Sequence, residues 1–183
     1  NSGRDWVRIE AGGGAGTFRA IIREIHAVAF AANDSLGIFR SDDDGSTWRR
    51  SNAGLLDSAI TSIAATSTGL LIAGTRAGKV YLSNDLGATW EPKYDVARAV
   101  VACAESRTGI VYFSAWGGGM YRFQKNNLVP TAVNTGLSNK FITAITVTSA
   151  SHLFVGSDGS AIFRSPNGGD EWVHFDAGFQ NAR

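Results

Sequence analysis

Apolar residues along this chain alternate with polar ones in runs of about five, and the runs are bounded by glycine, asparagine, aspartate and serine. This period of two, carried by β-branched and aromatic residues, is the pattern of half-buried strands. In the clearest stretch, Ile60-Thr61-Ser62-Ile63-Ala64-Ala65 predicts one strand and Leu70-Leu71-Ile72-Ala73-Gly74 a second. Lys79-Val80-Tyr81-Leu82-Ser83 predicts a third, and a fourth is expected from Thr89-Trp90. No segment sustains a helical period. Residues 17–24 are the one place where an irregular turn is expected.

The same set of four runs recurs. Trp6, Trp48 and Trp90 are spaced 42 residues apart, and Trp172 follows after 82, two periods on. The segments ending at 48, 90, 130 and 172 read IFRSDDDGSTW, VYLSNDLGATW, MYRFQKNNLVP and IFRSPNGGDEW. Asn52-Ala53-Gly54-Leu55 returns as Asn134-Thr135-Gly136-Leu137, and Ile60 and Ile63 return as Ile142 and Ile145. Four strands repeated every ~40–50 residues is the period of a propeller blade. The expected fold is therefore all-β: a β-propeller segment of four complete four-stranded antiparallel blades plus an extra N-terminal outer strand. The blades are expected over 17–52, 53–95, 96–134 and 135–179, after an outer strand and connection within 1–16.

Between third and fourth strands lies Ser-x-Asp-x-Gly-x-Thr-Trp, as Ser41, Asp43, Gly45, Thr47, Trp48 and again as Ser83, Asp85, Gly87, Thr89, Trp90. An aspartate in such a turn accepts backbone N–H bonds from residues further on, glycine supplies a left-handed residue, and the indole buries a large ring. The fourth copy has Ser165, Asn167, Gly169, Glu171 and Trp172, with Asn able to cap in place of Asp. The third copy has lost the pattern, and only Asn127, at the glycine position, is expected to keep a left-handed turn. Asn1, Gly3 and Trp6 overlay the fourth copy, so the first residues read as the end of another such turn, followed by a lone outer strand at Trp6-Val7-Arg8-Ile9.

This turn resembles the Asp-box, or BNR repeat, of sialidases, sortilin-type domains, two-propeller xyloglucanases and photosystem assembly-factor propellers. The resemblance covers nearly the whole chain and implies the fold; those families share the turn and differ in activity. It implies an extracellular, periplasmic or lumenal setting. Relatives of that type close with six or more blades, and an open propeller would expose sheet edges. Three arrangements are left open: the remaining blades on another fragment, a second copy that completes a ring, or an unusual four-blade arrangement.

Composition removes several function classes. Seventeen Lys and Arg against sixteen Asp and Glu give a formal charge of +1, which argues for no nucleic-acid partner. No run of eighteen apolar residues occurs, so no membrane insertion is expected. The one cysteine, Cys103, sits in an apolar run and reads as a small buried residue. Asp42-Asp43-Asp44-Gly45 lacks the closing Glu of an EF-hand loop, and His26, His152 and His174 have no zinc-ligand spacing. Gly12-Gly13-Gly14-Ala15-Gly16 lacks the Lys-Ser/Thr of a phosphate loop. No metal and no cofactor are expected.

Candidate chemistry lies opposite the Asp-boxes. The turns between second and third strands align Asp34, Arg76, Trp116 and Asp158, a column whose side chain changes from blade to blade on a constant scaffold. That is the arrangement of a binding surface. The blade connections add Arg98 and Lys140 to this binding set, with Arg19, Arg23, Asp57, Asp95 and Asn139 nearby. The expected function is a non-catalytic scaffold that binds a protein or glycan through this face. The alternative is a fragment of a glycoside-hydrolase-like enzyme of sialidase or xyloglucanase type. A sialidase-like site would draw on Arg19, Arg23, Arg76 and Arg98, but no Arg-Ile-Pro motif or Tyr–Glu pair accompanies them. An inverting pair would need two carboxylates ~6.5–9.5 Å apart, and Asp34, Asp57, Asp95 and Asp158 offer candidates without selecting two.

Overall fold

The computed structural model describes residues 16–23, 27–124, 127–159 and 161–175. Within them lie four antiparallel sheets of four strands, each running in chain order, with no helix among the described residues. Blade 1 holds β1 (Phe18–Arg23), β2 (Ala29–Asn33), β3 (Gly37–Ser41) and β4 (Arg49–Arg50). Blade 2 holds β5 (Ile60–Ala65), β6 (Leu71–Thr75), β7 (Lys79–Ser83) and β8 (Glu91–Asp95). Blade 3 holds β9 (Val100–Glu105), β10 (Ile110–Ala115), β11 (Gly119–Gln124) and β12 (Asn127–Ala132). Blade 4 holds β13 (Ile142–Val147), β14 (Leu153–Ser157), β15 (Ile162–Ser165) and β16 (Val173–His174). These are propeller blades.

Neighbouring blades stack face to face, because both sides of every central strand carry apolar residues. Phe30, Ala32 and Ile38 of blade 1 bury against Ile63, Leu71, Ala73, Tyr81 and Trp90 of blade 2. Ile72, Val80 and Leu82 continue into Val111, Phe113 and Phe123 of blade 3. Tyr112 and Met120 then meet Leu153, Val155, Phe163 and Trp172 of blade 4.

Three local expectations are corrected. Residues 18–23 form a regular strand, and its irregularity is a register shift between Phe18 and Ala20, not a turn. The fourth strand of blade 2 starts at Glu91, since Trp90 is spent on the neighbouring blade. In blade 3 the lost motif gives a tighter connection: Asn127 is the first residue of β12, paired with Gln124, and the strand runs six residues. The outer strand expected at residues 6–9, and His26, lie outside the described residues.

The Asn-x-Gly-Leu connection has a steric cause. The Oδ1 of Asn52 accepts from Ile38 N–H at 2.8 Å, and that of Asn134 from Met120 N–H at 2.7 Å, tying each connection to its own third strand. Ala53 and Thr135 then accept the Trp90 and Trp172 backbone N–H at 2.8 and 2.9 Å. Gly54 and Gly136 lie at φ 86° and 81°, and a Cβ there would fall 2.1 and 2.2 Å from the Trp90 and Trp172 carbonyl oxygens. Only glycine fits.

Candidate functional site

The two ends of the hairpins use their polar residues differently. At the boxed end, Ser41 Oγ accepts Gly45 N–H at 2.8 Å and donates to Asp43 at 2.8 Å. Asp43 also accepts the Thr47 N–H at 2.8 Å and its hydroxyl at 2.6 Å. Ser83, Asp85, Gly87 and Thr89 repeat every one of these bonds. In blade 4, Ser165, Asn167, Gly169 and Glu171 keep the Oδ1 bonds, but Glu171 has no hydroxyl for the remaining one. The Thr47 hydroxyl, then its N–H and the Ser41 hydroxyl, hold the Asp43 carboxyl down at about 2. Burial pushes Asp85 up, but the Thr89 and Ser83 bonds outweigh it and leave it lowered. These carboxylates are consumed in holding turns. Among the described residues no three His, Cys, Asp or Glu gather as metal ligands.

The boxes also join blades. Trp90 Nε1 donates to Ser51 O and Trp172 Nε1 to Val133 O, both at 2.8 Å and both in the preceding blade. Arg40 reaches forward to the Leu86 carbonyl, and Arg122 to the Gly168 carbonyl at 2.6 Å. Where blade 3 lacks a box, a cleft of ≈ 450 Å³ opens between β11–β12 and the blade 4 turn. Arg122, Asn127, Asn167 and Asp170 line it, with Arg122 and Asp170 paired at 2.7 Å. No alternation of apolar and polar residues signals this cleft; its only trace in the sequence is the missing third box.

At the opposite end the column residues share one backbone anchor. The N–H groups of Asp34, Arg76, Trp116 and Asp158 donate to Thr17, Ala59, Ala99 and Phe141 carbonyls at 2.8–3.0 Å, each just before its blade's first strand. Their side chains divide. Asp34 is nearly enclosed: Arg19 Nη2 lies 2.6 Å away, Arg76 Nη2 3.4 Å, and the Thr17 N–H donates to it at 2.8 Å. The Thr17 bond first, then Arg19, holds its carboxyl below the usual range. Asp34 is thus held mainly by Arg19 of its own blade and reaches Arg76 of the next.

Trp116 differs. The residue is 40% exposed and meets Phe141, 45% exposed, edge-on with ring centroids 5.2 Å apart. Gly117 makes this possible: a Cβ there would come within 3.2 Å of the Phe141 ring and 3.3 Å of an Arg98 Nη1. Arg98 and Lys140 are exposed and have no ion-pair partner among the described residues, and Asp158 is exposed with its N–H bonded to the Phe141 carbonyl. Two aromatic rings and an unspent guanidinium therefore share one platform. The sequence column missed Phe141, whose signal is only its place two residues after the capping Asn139.

The other carboxylates of this end cap connections. Asp57 accepts Ala59 N–H and Asp95 accepts Ala97 N–H, both at 2.9 Å, as Asn139 does for Phe141. Asp95 also receives Lys79 at 3.3 Å. Cys103 is half-buried beside Ser62, 3.6 Å away, and burial pushes its thiol up to about 11.

No family model matches the chain, and no curated protein matches it. Solved structures do. The chain is similar to YCF48 bound to D1 peptide, with 15% identity and a TM-score of 0.69 over 95% of this chain and 58% of that one. It is similar to an ancestral GH74 enzyme, with 16% identity and a TM-score of 0.75 over 90% of this chain and 25% of the other. The extracellular domain of BT4673 from B. thetaiotaomicron gives 18% identity and a TM-score of 0.76, over 93% and 23% of the two chains. The chain spans little more than half of the first and about a quarter of the others. At these identities the likeness establishes the propeller fold.

Proposed function

We propose that the chain is a binding scaffold that holds a protein or glycan partner at the hairpin ends opposite the boxes. The observation that carries this reading is the platform of Trp116, Phe141 and Arg98, exposed and unspent on a surface where neighbouring polar groups pair with one another. Exposed aromatic rings beside an arginine are the composition of binding hot spots, and their π-faces also suit the apolar face of a sugar ring. Lys140 and Asp158 add charge of either sign for orientation. A relative in fold is described with a bound peptide, which favours a protein partner.

A hydrolase reading draws less support. Asp57 and Asp95 are engaged in backbone caps and Asp34 in two arginine contacts, so three of the four candidate carboxylates hold structure. The Asp-box relationship, a setting outside the cytosol and the blade boundaries 17–52, 53–95, 96–134 and 135–179 belong to the same proposal.

Probing a peptide array and a glycan array with labelled wild-type chain and with Trp116→Ala tests the reading. Signals on one array that vanish in Trp116→Ala support it. Signals unchanged in Trp116→Ala, or none on either array, contradict it.

A further inference from the structure

Each blade junction is built from the same positions, and the two outermost blades each carry one half of that junction. On the trailing side, Phe30, Ile72 and Tyr112 are equivalent and buried, as are Ile38, Val80 and Met120. Their blade 4 counterparts, Phe154 and Ile162, are half-exposed. Arg164 is the counterpart of Arg40 and Arg122, which both donate to a box carbonyl of the following blade. Among the described residues Arg164 has no such carbonyl: it contacts His152 Nδ1 at 3.2 Å, lies 5.9 Å from the Phe154 ring, and its Nε is buried without a partner.

The leading side of blade 1 is the complement. Ile21 is 69% exposed, where its counterpart Ile63 is 6% exposed. Asp44 is the counterpart of Leu86 and Gly168, whose carbonyls receive Arg40 and Arg122. Trp48 is half-buried and donates to its own Gly45 carbonyl at 3.0 Å, where Trp90 and Trp172 each reach back to a preceding blade. The counterpart of Ser51 and Val133 in blade 4 is Phe175, whose N–H donates to the Ile162 carbonyl as Ser51 and Val133 donate to Ile38 and Met120.

We infer that a second copy of this chain docks head to tail, blade 1 of one copy against blade 4 of the other. Arg164 then donates to the Asp44 carbonyl and Trp48 Nε1 to the Phe175 carbonyl across the new junction, while Ile21 packs against Phe154. Each end carries one half of the junction, with Trp48 exchanging its Gly45 bond for the new one, in a geometry the chain already repeats at its own 1/2 and 3/4 junctions. Used twice, a head-to-tail contact can close a pair and leave no open face.

Sedimentation velocity of the full chain across a concentration series tests this. The expected result is a reversible species of two copies, weakened roughly tenfold or more in Arg164→Ala through loss of a charge-assisted bond. Ile21→Lys, at a position exposed in the single chain, is expected to abolish the pair with its circular dichroism unchanged. A single-copy mass at every concentration overturns the proposal. So does a pair that survives both substitutions, or an open-ended series of larger species.

Discussion

The boxed and unboxed ends of these hairpins carry similar residues and spend them in opposite ways. At the boxed end, Ser, Asp, Thr and Trp bond within the turn or to the blade before, and Arg40 and Arg122 bond to the blade after. At the other end, Asp34 pairs with Arg19 and Arg76, while Trp116 and Phe141 pack on each other in the open and Arg98 and Lys140 have no ion-pair partner among the described residues. Residues fully used in structure give stability when probed, and residues left over give recognition. The repeat keeps the first set where a box joins two blades, at the 1/2 and 3/4 junctions, and lets the second vary from blade to blade.

The sharpest way to break this comparison is at the junction tryptophans. Trp90→Ala or Trp172→Ala removes a ring only 2–3% exposed and orphans a carbonyl of the preceding blade. The expected cost is about 3–5 kcal/mol in urea denaturation. Trp48→Ala, where the ring is half-buried and its N–H bonds within its own turn, is expected to cost about 1 kcal/mol or less. Equal losses would mean that the box, not the junction, carries the energy. Ser83→Ala comes next. It strands the buried Gly87 N–H and should cost about 1–3 kcal/mol by the same measurement.

Acid should act at the boxed end. Asp43 and Asp85 have carboxyls lowered below the ordinary 3.8, Asp43 to about 2, by bonds that exist only in the folded state. Their contribution is complete above about pH 4 and is lost as pH falls from there through 2. Thermal melts should show stability falling across that window, less steeply in Asp43→Asn, which keeps the Oδ1 acceptor as Asn167 does. Leu86→Gly is the smallest effect. Leu86 sits at φ 55°, where blade 4 has Gly168, and relief of that strain should raise stability by less than about 1 kcal/mol.

Much of this was legible in the residues. Strand alternation carries the blades because the burial that sets it recurs in every copy, and the tryptophan spacing supplies the period even though the third copy lacks its Trp. The column of Asp34, Arg76, Trp116 and Asp158 was legible as a row of turns but not as a site. Whether Asp34 is free depends on Arg19, fifteen residues before it, and on Arg76 one blade on. Phe141 and the cleft at Arg122 and Asp170 were illegible for the same reason: each arises from contacts between elements far apart in the chain. The tight β11–β12 connection was misread because an absent motif does not say what replaces it.

The most direct test of the central claim is a titration of the strongest array ligand into three proteins of matched melting temperature: wild type, Trp116→Ala and Val129→Ser. Val129 is 68% exposed and lines the cleft at the boxed end. Affinity lost at least tenfold in Trp116→Ala and kept in Val129→Ser is the predicted result. Affinity kept in Trp116→Ala and lost in Val129→Ser would place recognition at the boxed end and contradict the account.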